Sequence, residues 1–143
     1  MKEIHKVLIR LSKTHRKLAY KEFSKVGLTE GQPKILDFLV KNNGCIQKDI
    51  SVSCRIEPAT VTSVLSNMEK NELIYRSQNS ENRRVLNVFL TDKGVAAQKQ
   101  VRRIFEDLDE LCFKDFSEKE KLEAIEFFNR IQNNLDGKDE DND

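Results

Sequence analysis

Two clusters of side chains in this 143-residue chain bring hydrogen-bonding groups together at close spacing. The first is Pro58, Thr60, Thr62, Ser63 and Asn67. Hydroxyl and amide groups of this length reach phosphate oxygens and base edges without holding the helix that carries them away from its ligand. The second is Arg83-Arg84, which closes the polar run Asn79-Ser80-Glu81-Asn82. An arginine on an extended turn can enter a narrow groove where negative potential is concentrated. Both clusters suit a polyanion. Enzymatic chemistry has no comparable material: the sequence contains no glycine-rich phosphate loop, nucleophile motif, metal-ligand spacing or Asp/Glu/His cluster. No catalytic activity, cofactor or metal is therefore expected. Cys45, Cys54 and Cys112 are odd in number and widely spaced, which argues against a disulfide framework. Each reads first as a structural thiol, and Cys54, beside Arg55, is the candidate for redox chemistry.

The charge distribution follows the same division. Residues 1–94 hold 17 Lys/Arg against 10 Asp/Glu, whereas residues 95–143 hold 8 against 14. The first part is suited to meet a polyanion and the second is not. Charged residues make up 34% of the chain, with only two prolines and five glycines, so a mainly helical protein is expected. No apolar run approaches the roughly 18 to 20 residues that span a bilayer, and the basic N-terminal stretch lacks the features of a secretory signal. A cytoplasmic protein without membrane contact is the expectation.

The elements that must position these residues can be read from periodicity. Ile4, Val7, Leu8, Leu11 and Leu18 predict a helix over 3–24, ended by Gly27. Thr29-x-x-Gln32 has the form of a capping box before a second helix burying Ile35, Leu36, Phe38, Leu39 and Val40. A short helix over 47–53 and a longer one over 58–71 follow, the latter opened by Pro58 and striped with Val61, Val64, Leu65 and Met68. The pattern then changes to a hairpin, with Ile74-Tyr75 on one side of the polar run and Val85–Leu90 on the other. Thr91 caps a helix over 92–113, and Ser117-x-x-Glu120 opens a last helix carrying Leu122, Ile125, Phe128, Ile131 and Leu135. The acidic tail 137–143 is expected to be disordered.

Two helices joined by a short connection and followed directly by an arginine-tipped hairpin form a winged helix-turn-helix. The fold class is mainly α with a small β-hairpin wing. A single domain is expected over 1–136, with the winged unit at about 29–91 between N- and C-terminal helices at 3–24 and 92–136.

The residues also resemble the MarR family of bacterial regulators over nearly the full length. LTEGQPKILDFL is similar to that family's second helix, IEPATVTSVLSNMEKNELIYRS to its recognition helix and first wing strand, and SENRRVLNVFLTDKG to its wing and following helix. The spacing of Asn82-Arg83-Arg84 to Leu90-Thr91-Asp92-Lys93-Gly94 is the most specific part. Two positions depart from the pattern: the wing aspartate is Asn82, and the glycine ending the recognition helix is Glu72.

The resemblance implies a homodimer binding double-stranded DNA at a pseudo-palindromic operator, most simply as a repressor, released by a small-molecule effector or by thiol oxidation. Pro58, Thr60, Thr62, Ser63, Asn67, Arg83 and Arg84 are the DNA-contact candidates. Ile4, Val7, Leu8, Leu11, Phe127, Phe128 and Ile131 are the dimer candidates, since the terminal helices carry more apolar surface than the small winged unit can cover. His15, Tyr20 and Phe23 are candidate linings of an effector pocket. The competing reading is a winged-helix protein-interaction module without specific DNA binding.

Overall fold

The structure is a computed structural model that describes residues 3–140. Its elements run α1 (Ile4–Lys25), α2 (Gln32–Lys41), α3 (Gln47–Cys54), α4 (Pro58–Lys70), β1 (Ile74–Gln78), β2 (Leu86–Leu90), α5 (Asp92–Cys112) and α6 (Glu118–Glu140). This is the predicted order of helices and hairpin. The chain divides into two compact units, Met1–Asp107 and Leu108–Asp143, with the division inside α5.

The core of the first unit is built from Ile35, Leu36 and Leu39 of α2, Ile50 of α3, Val61, Leu65 and Met68 of α4, and Ile74 and Val88 of the hairpin, each at most 2% exposed. These residues recur at helical or strand spacing, so each element turns one apolar face inward. Helix α1 ends in a Schellman turn: the Leu28 N–H donates to Phe23 O, the Gly27 N–H donates to Ser24 O, and Gly27 takes φ +78°. Helix α4 ends in the same way, with Leu73 N–H donating to Met68 O and Glu72 N–H to Glu69 O. There the left-handed position is filled by Glu72 at φ 60°, not by Asn71.

The capping box expected at Thr29 forms only in half. The Thr29 N–H donates to Gln32 Oε1 at 3.1 Å, but α2 begins at Gln32 behind Gly31, so Gln32 is its first residue rather than its third. Gln32 Oε1 is satisfied, and its amide nitrogen is buried without a partner among the described residues.

Strands β1 and β2 pair antiparallel, with Ile74 opposite Leu90, Arg76 opposite Val88 and Gln78 opposite Leu86. The second strand begins at Leu86, one residue later than expected. Its outer edge is pinned by a segment that periodicity did not reveal. Gly44 N–H donates to Val88 O, Val88 N–H donates to Cys45 O, both at 2.8 Å, and Ile46 bridges to Asn87. Helix α5 is then locked to the start of β1. Thr91 Oγ1 donates to Glu72 O and accepts the Gly94 N–H, while a Cβ on Gly94 would lie 2.0 Å from Leu73 O. The spacing of Leu90-Thr91 to Gly94 thus has a steric cause.

In the second unit, Ser117 and Glu120 form the expected capping box reciprocally, at 2.8 and 3.1 Å. Donation from the Ser117 backbone and then from its hydroxyl holds the Glu120 carboxyl below the usual carboxylate range. Helix α6 buries none of its residues and continues through Gly137 to Glu140. Residues 137–140 of the predicted tail are therefore helical, and residues 141–143 lie outside those described.

Candidate nucleic-acid interface

Helices α3 and α4 are joined by a tight turn in which Arg55 takes φ 54°, and the Ser51 hydroxyl donates to Ile56 O at 2.6 Å. Along α4 the buried stripe Val61, Leu65 and Met68 fixes the helix rotation. The opposite stripe is thereby presented to solvent: Thr60, Ser63 and Asn67, spaced by three and four residues, are all exposed, as are Pro58 and Thr62. The helix starts without a side-chain cap and with Pro58 in its first turn, leaving a positive end free for an anion. The Thr62 hydroxyl donates to Pro58 O at 3.1 Å, so it remains available chiefly as an acceptor.

The wing tip is stitched by asparagines. Asn79 Oδ1 accepts the Glu81 and Asn82 N–H groups, Asn79 Nδ2 donates to Asn87 Oδ1, and Asn87 Nδ2 donates to Gly44 O at 2.7 Å. Asn82 Oδ1 accepts the backbone N–H of Arg84 at 3.1 Å and does not meet a guanidinium. It shapes the turn rather than orienting an arginine side chain. Arg83 and Arg84 are both exposed, and among the described residues neither guanidinium has a hydrogen-bond or ion-pair partner. A cleft of about 260 Å³ between wing and α3 is lined by Arg84, Lys48 and Gln47 among others, adding a second cation beside the wing.

One residue of this region escaped sequence reasoning. Arg76 in β1 donates from Nε and from its backbone N–H to Glu69 Oε2, from one terminal nitrogen to Gln47 Oε1 and from the other to Ser66 Oγ. Its side chain is only 16% exposed. Residue spacing along the strand gives no signal for it, because its partners lie on α4 and, 29 residues away, on α3.

The candidates for regulation are more enclosed than the DNA-contact candidates. Cys54 is buried at 3% exposure, with its thiol 4.0 Å from Lys34 O. Burial pushes its pKa up, Lys34 offsetting this in part and Asp37 adding to it. A redox-active thiol needs the reverse setting. Cys45 is pushed up to about 11, by burial first and the Asp49 charge second. Of the effector-lining candidates, Phe23 is packed in the core and Tyr20 is half-buried. Phe23 is 1% exposed and meets Tyr20 and Phe105 edge-to-face at 5.6 and 5.2 Å, and the Tyr20 hydroxyl accepts the Gly31 N–H. His15 stays half-buried on α1. A cleft of about 340 Å³ lies elsewhere in the first unit, lined by Val26, Leu28, Leu73, Lys93, Ala97 and Gln100 among others.

The apolar residues expected at a dimer contact are open in the single chain. Ile4, Val7 and Leu11 on α1 are 47–54% exposed, with Leu8 half-buried. Phe127 and Phe128 on α6 are 55% and 50% exposed, with Ile131 half-buried. Among the described residues no helix is long and apolar enough to cross a membrane.

Comparison with known proteins places this arrangement. The model of the MarR family matches residues 28–86, from just before α2 to the first residue of β2. BilQ, an HTH-type transcriptional regulator of Clostridioides difficile, is 27% identical over 119 residues, covering 83% of this chain and 80% of BilQ. MdtR, an HTH-type transcriptional repressor of Bacillus subtilis, is 33% identical over 70 residues, covering 49% of this chain and 45% of MdtR. Among solved structures, a MarR family transcriptional regulator from Listeria monocytogenes complexed with a 26-mer DNA aligns with TM-score 0.85 at 26% identity, over 94% of this chain and 90% of that one. The S. aureus MepR–DNA complex aligns with TM-score 0.86 at 21% identity, over 94% and 99%, a likeness of fold. Over residues 28–86, and in fold along most of its length, this chain is similar to MarR family regulators.

Proposed function

We propose that the protein is a DNA-binding transcriptional regulator that reads a pseudo-palindromic operator as a homodimer. The observation carrying this reading is the pairing of two exposed surfaces on one basic unit: the polar stripe Thr60, Ser63 and Asn67 on α4, and the free guanidinium groups of Arg83 and Arg84 on the wing. The stripe has the group types and the uncapped helix start that suit a major groove, while the wing arginines suit the adjacent minor groove. Similar proteins from Listeria monocytogenes and S. aureus are seen in complex with DNA, which supports the same partner here. The exposed hydroxyl and amide groups of α4 and the wing arginines favour a polyanion over the protein-interaction reading.

Dimerisation through Ile4, Val7, Leu8 and Leu11 of α1, and Phe127, Phe128 and Ile131 of α6, accounts for apolar surface that a lone chain leaves in water. It sets two recognition helices for half-sites about one DNA turn apart. Repression follows as the simplest outcome, since a dimer on a promoter blocks polymerase without a further contact. Release by a small effector is preferred to oxidation of Cys54, which is buried with a raised pKa.

The assignment of the wing is tested by titrating Arg84→Ala and the unaltered protein onto the same duplex at several salt concentrations. Losing this arginine is expected to weaken binding by about tenfold and lower the salt slope by about one. Equal affinity and equal slope would remove Arg84 from the interface.

A further inference from the structure

The guanidinium of Arg76 lies where three elements meet, and each of its three nitrogens donates a hydrogen bond. Nε and the Arg76 backbone N–H converge on one carboxylate oxygen, Glu69 Oε2, at 3.1 and 3.2 Å. One terminal nitrogen donates to Gln47 Oε1 at 3.1 Å and the other to Ser66 Oγ at 3.3 Å. Glu69 and Ser66 lie on successive turns of α4, while Gln47 is the first residue of α3. Ser66 in turn donates to Thr62 O at 2.9 Å, so the network reaches the exposed polar face of α4. A planar fork with fixed donor directions can hold three acceptors on two helices, whereas an ammonium on a flexible stem cannot reproduce that geometry.

What this network positions follows from the register. Arg76 pairs with Val88, whose own backbone is fixed on the far edge by Gly44 and Cys45. The base of the wing is thus held from both sides: the strand carrying Arg76 by side-chain bonds to α4 and α3, and the other strand by backbone bonds. Beyond this base the hairpin projects to the tip that carries Arg83 and Arg84. Three to four residues of strand make a lever of about 12 Å, so a tilt of roughly 10° at the base moves the tip by about 2 Å, enough to break a hydrogen bond.

We infer that Arg76 is the positioning residue of the wing, fixing the direction of Arg83 and Arg84 relative to the recognition helix without touching DNA itself. The inference rests on the DNA-binding reading for its functional consequence but not for its structural one. It assigns Gln47, Glu69 and Ser66 as the partners that hold Arg76.

The test combines two readouts on the full-length protein with Arg76→Ala, Arg76→Lys, Arg84→Ala and the double variant Arg76→Ala/Arg84→Ala. In the free protein, hydrogen exchange of Arg76→Ala is expected to accelerate at amides of β1, β2 and the wing tip while those of α1 and α2 keep their protection, with Arg76→Lys restoring little. Uniform acceleration, or none, would overturn the role, because a generally destabilising change loosens the whole unit. On duplex DNA, Arg84→Ala is expected to cost about tenfold in affinity in the unaltered protein but twofold or less when Arg76 is already alanine, the non-additivity expected of residues acting through one another. Equal losses in both backgrounds would contradict the proposal. If the unaltered protein bound no duplex, the regulator reading would fail, while the exchange measurement would still decide whether Arg76 holds the wing.

Discussion

At the scale of single residues, the least comfortable position in the winged unit is Glu72. It occupies the left-handed slot of the α4 Schellman turn at φ 60°, the slot that glycine fills after α1. A side chain there costs about 1–2 kcal/mol, of which a glycine returns part after the entropy it adds to the unfolded chain. Glu72→Gly is expected to stabilise the protein by about 0.5–1 kcal/mol, read as a shift in denaturant midpoint at constant slope. The cysteines give a second expectation. Cys45 titrates near 11 instead of 9.0, so at pH 8 its thiolate is scarce, and alkylation in the folded protein should accelerate only as pH climbs toward that value. By linkage, the folded state holds this proton more tightly than the unfolded chain. The stability it contributes is therefore complete below about pH 9 and is lost as pH rises through about 11. Cys54→Ser is expected to leave any peroxide response of DNA binding unchanged, and a blunted response would restore Cys54 as a sensor. The burial of Cys54 was legible in part, because it follows Ile50 by one helical turn on the inward face of α3. Its neighbour Arg55 drew attention to charge when the spacing pointed to the core.

At the scale of elements, periodicity and caps carried most of the architecture. The buried stripe of α4, the Schellman turn at Gly27 and the Ser117 capping box all follow from residue spacing. What spacing could not show is pairing across long separations. Gly44–Ile46 is too short to have a period, yet it pins β2. Arg76 reads as a solvated strand charge until Gln47, 29 residues away, is placed beside it. The acidic tail from Gly137 reads as disordered, yet α6 runs on to Glu140. The contact of α5 with the start of β1 is the most exacting of these. A Cβ at Gly94 would meet Leu73 O at 2.0 Å, an atom of the backbone that cannot swing aside. Gly94→Ala is expected to cost about 1–3 kcal/mol or more through forced separation of α5 and β1, measured by thermal or denaturant unfolding. A neutral result would mean that the two elements are not held as described. At the start of α6, the depressed Glu120 pKa means that its cap stabilises the helix above the usual carboxylate range and is lost as pH falls through the lowered value. Helicity followed by circular dichroism should therefore fall in acid less for Glu120→Gln than for the unaltered chain.

At the scale of the whole molecule, charge and apolar surface divide the labour. The basic residues are concentrated in positions 1–94, which include the α4 stripe and the wing, and the acidic excess lies in positions 95–143. Helix α6 keeps its phenylalanines exposed, and α1 does the same with Ile4, Val7 and Leu11, the surface that the proposed dimer would cover. Replacing Phe128 by Asp is expected to shift the protein toward monomer in sedimentation and to weaken operator binding with it, because each half-site contact then acts alone. The central claim, that the α4 stripe and the wing arginines together read a DNA sequence, is tested most directly by fluorescence anisotropy. The protein is titrated onto duplexes taken from around its own gene and from other promoters, with unrelated DNA as control, at several salt concentrations. The account predicts tight binding of one dimer per site to a cognate duplex, well above control and weakening steeply with salt. Binding to every duplex no better than to control, even at low salt, would contradict it.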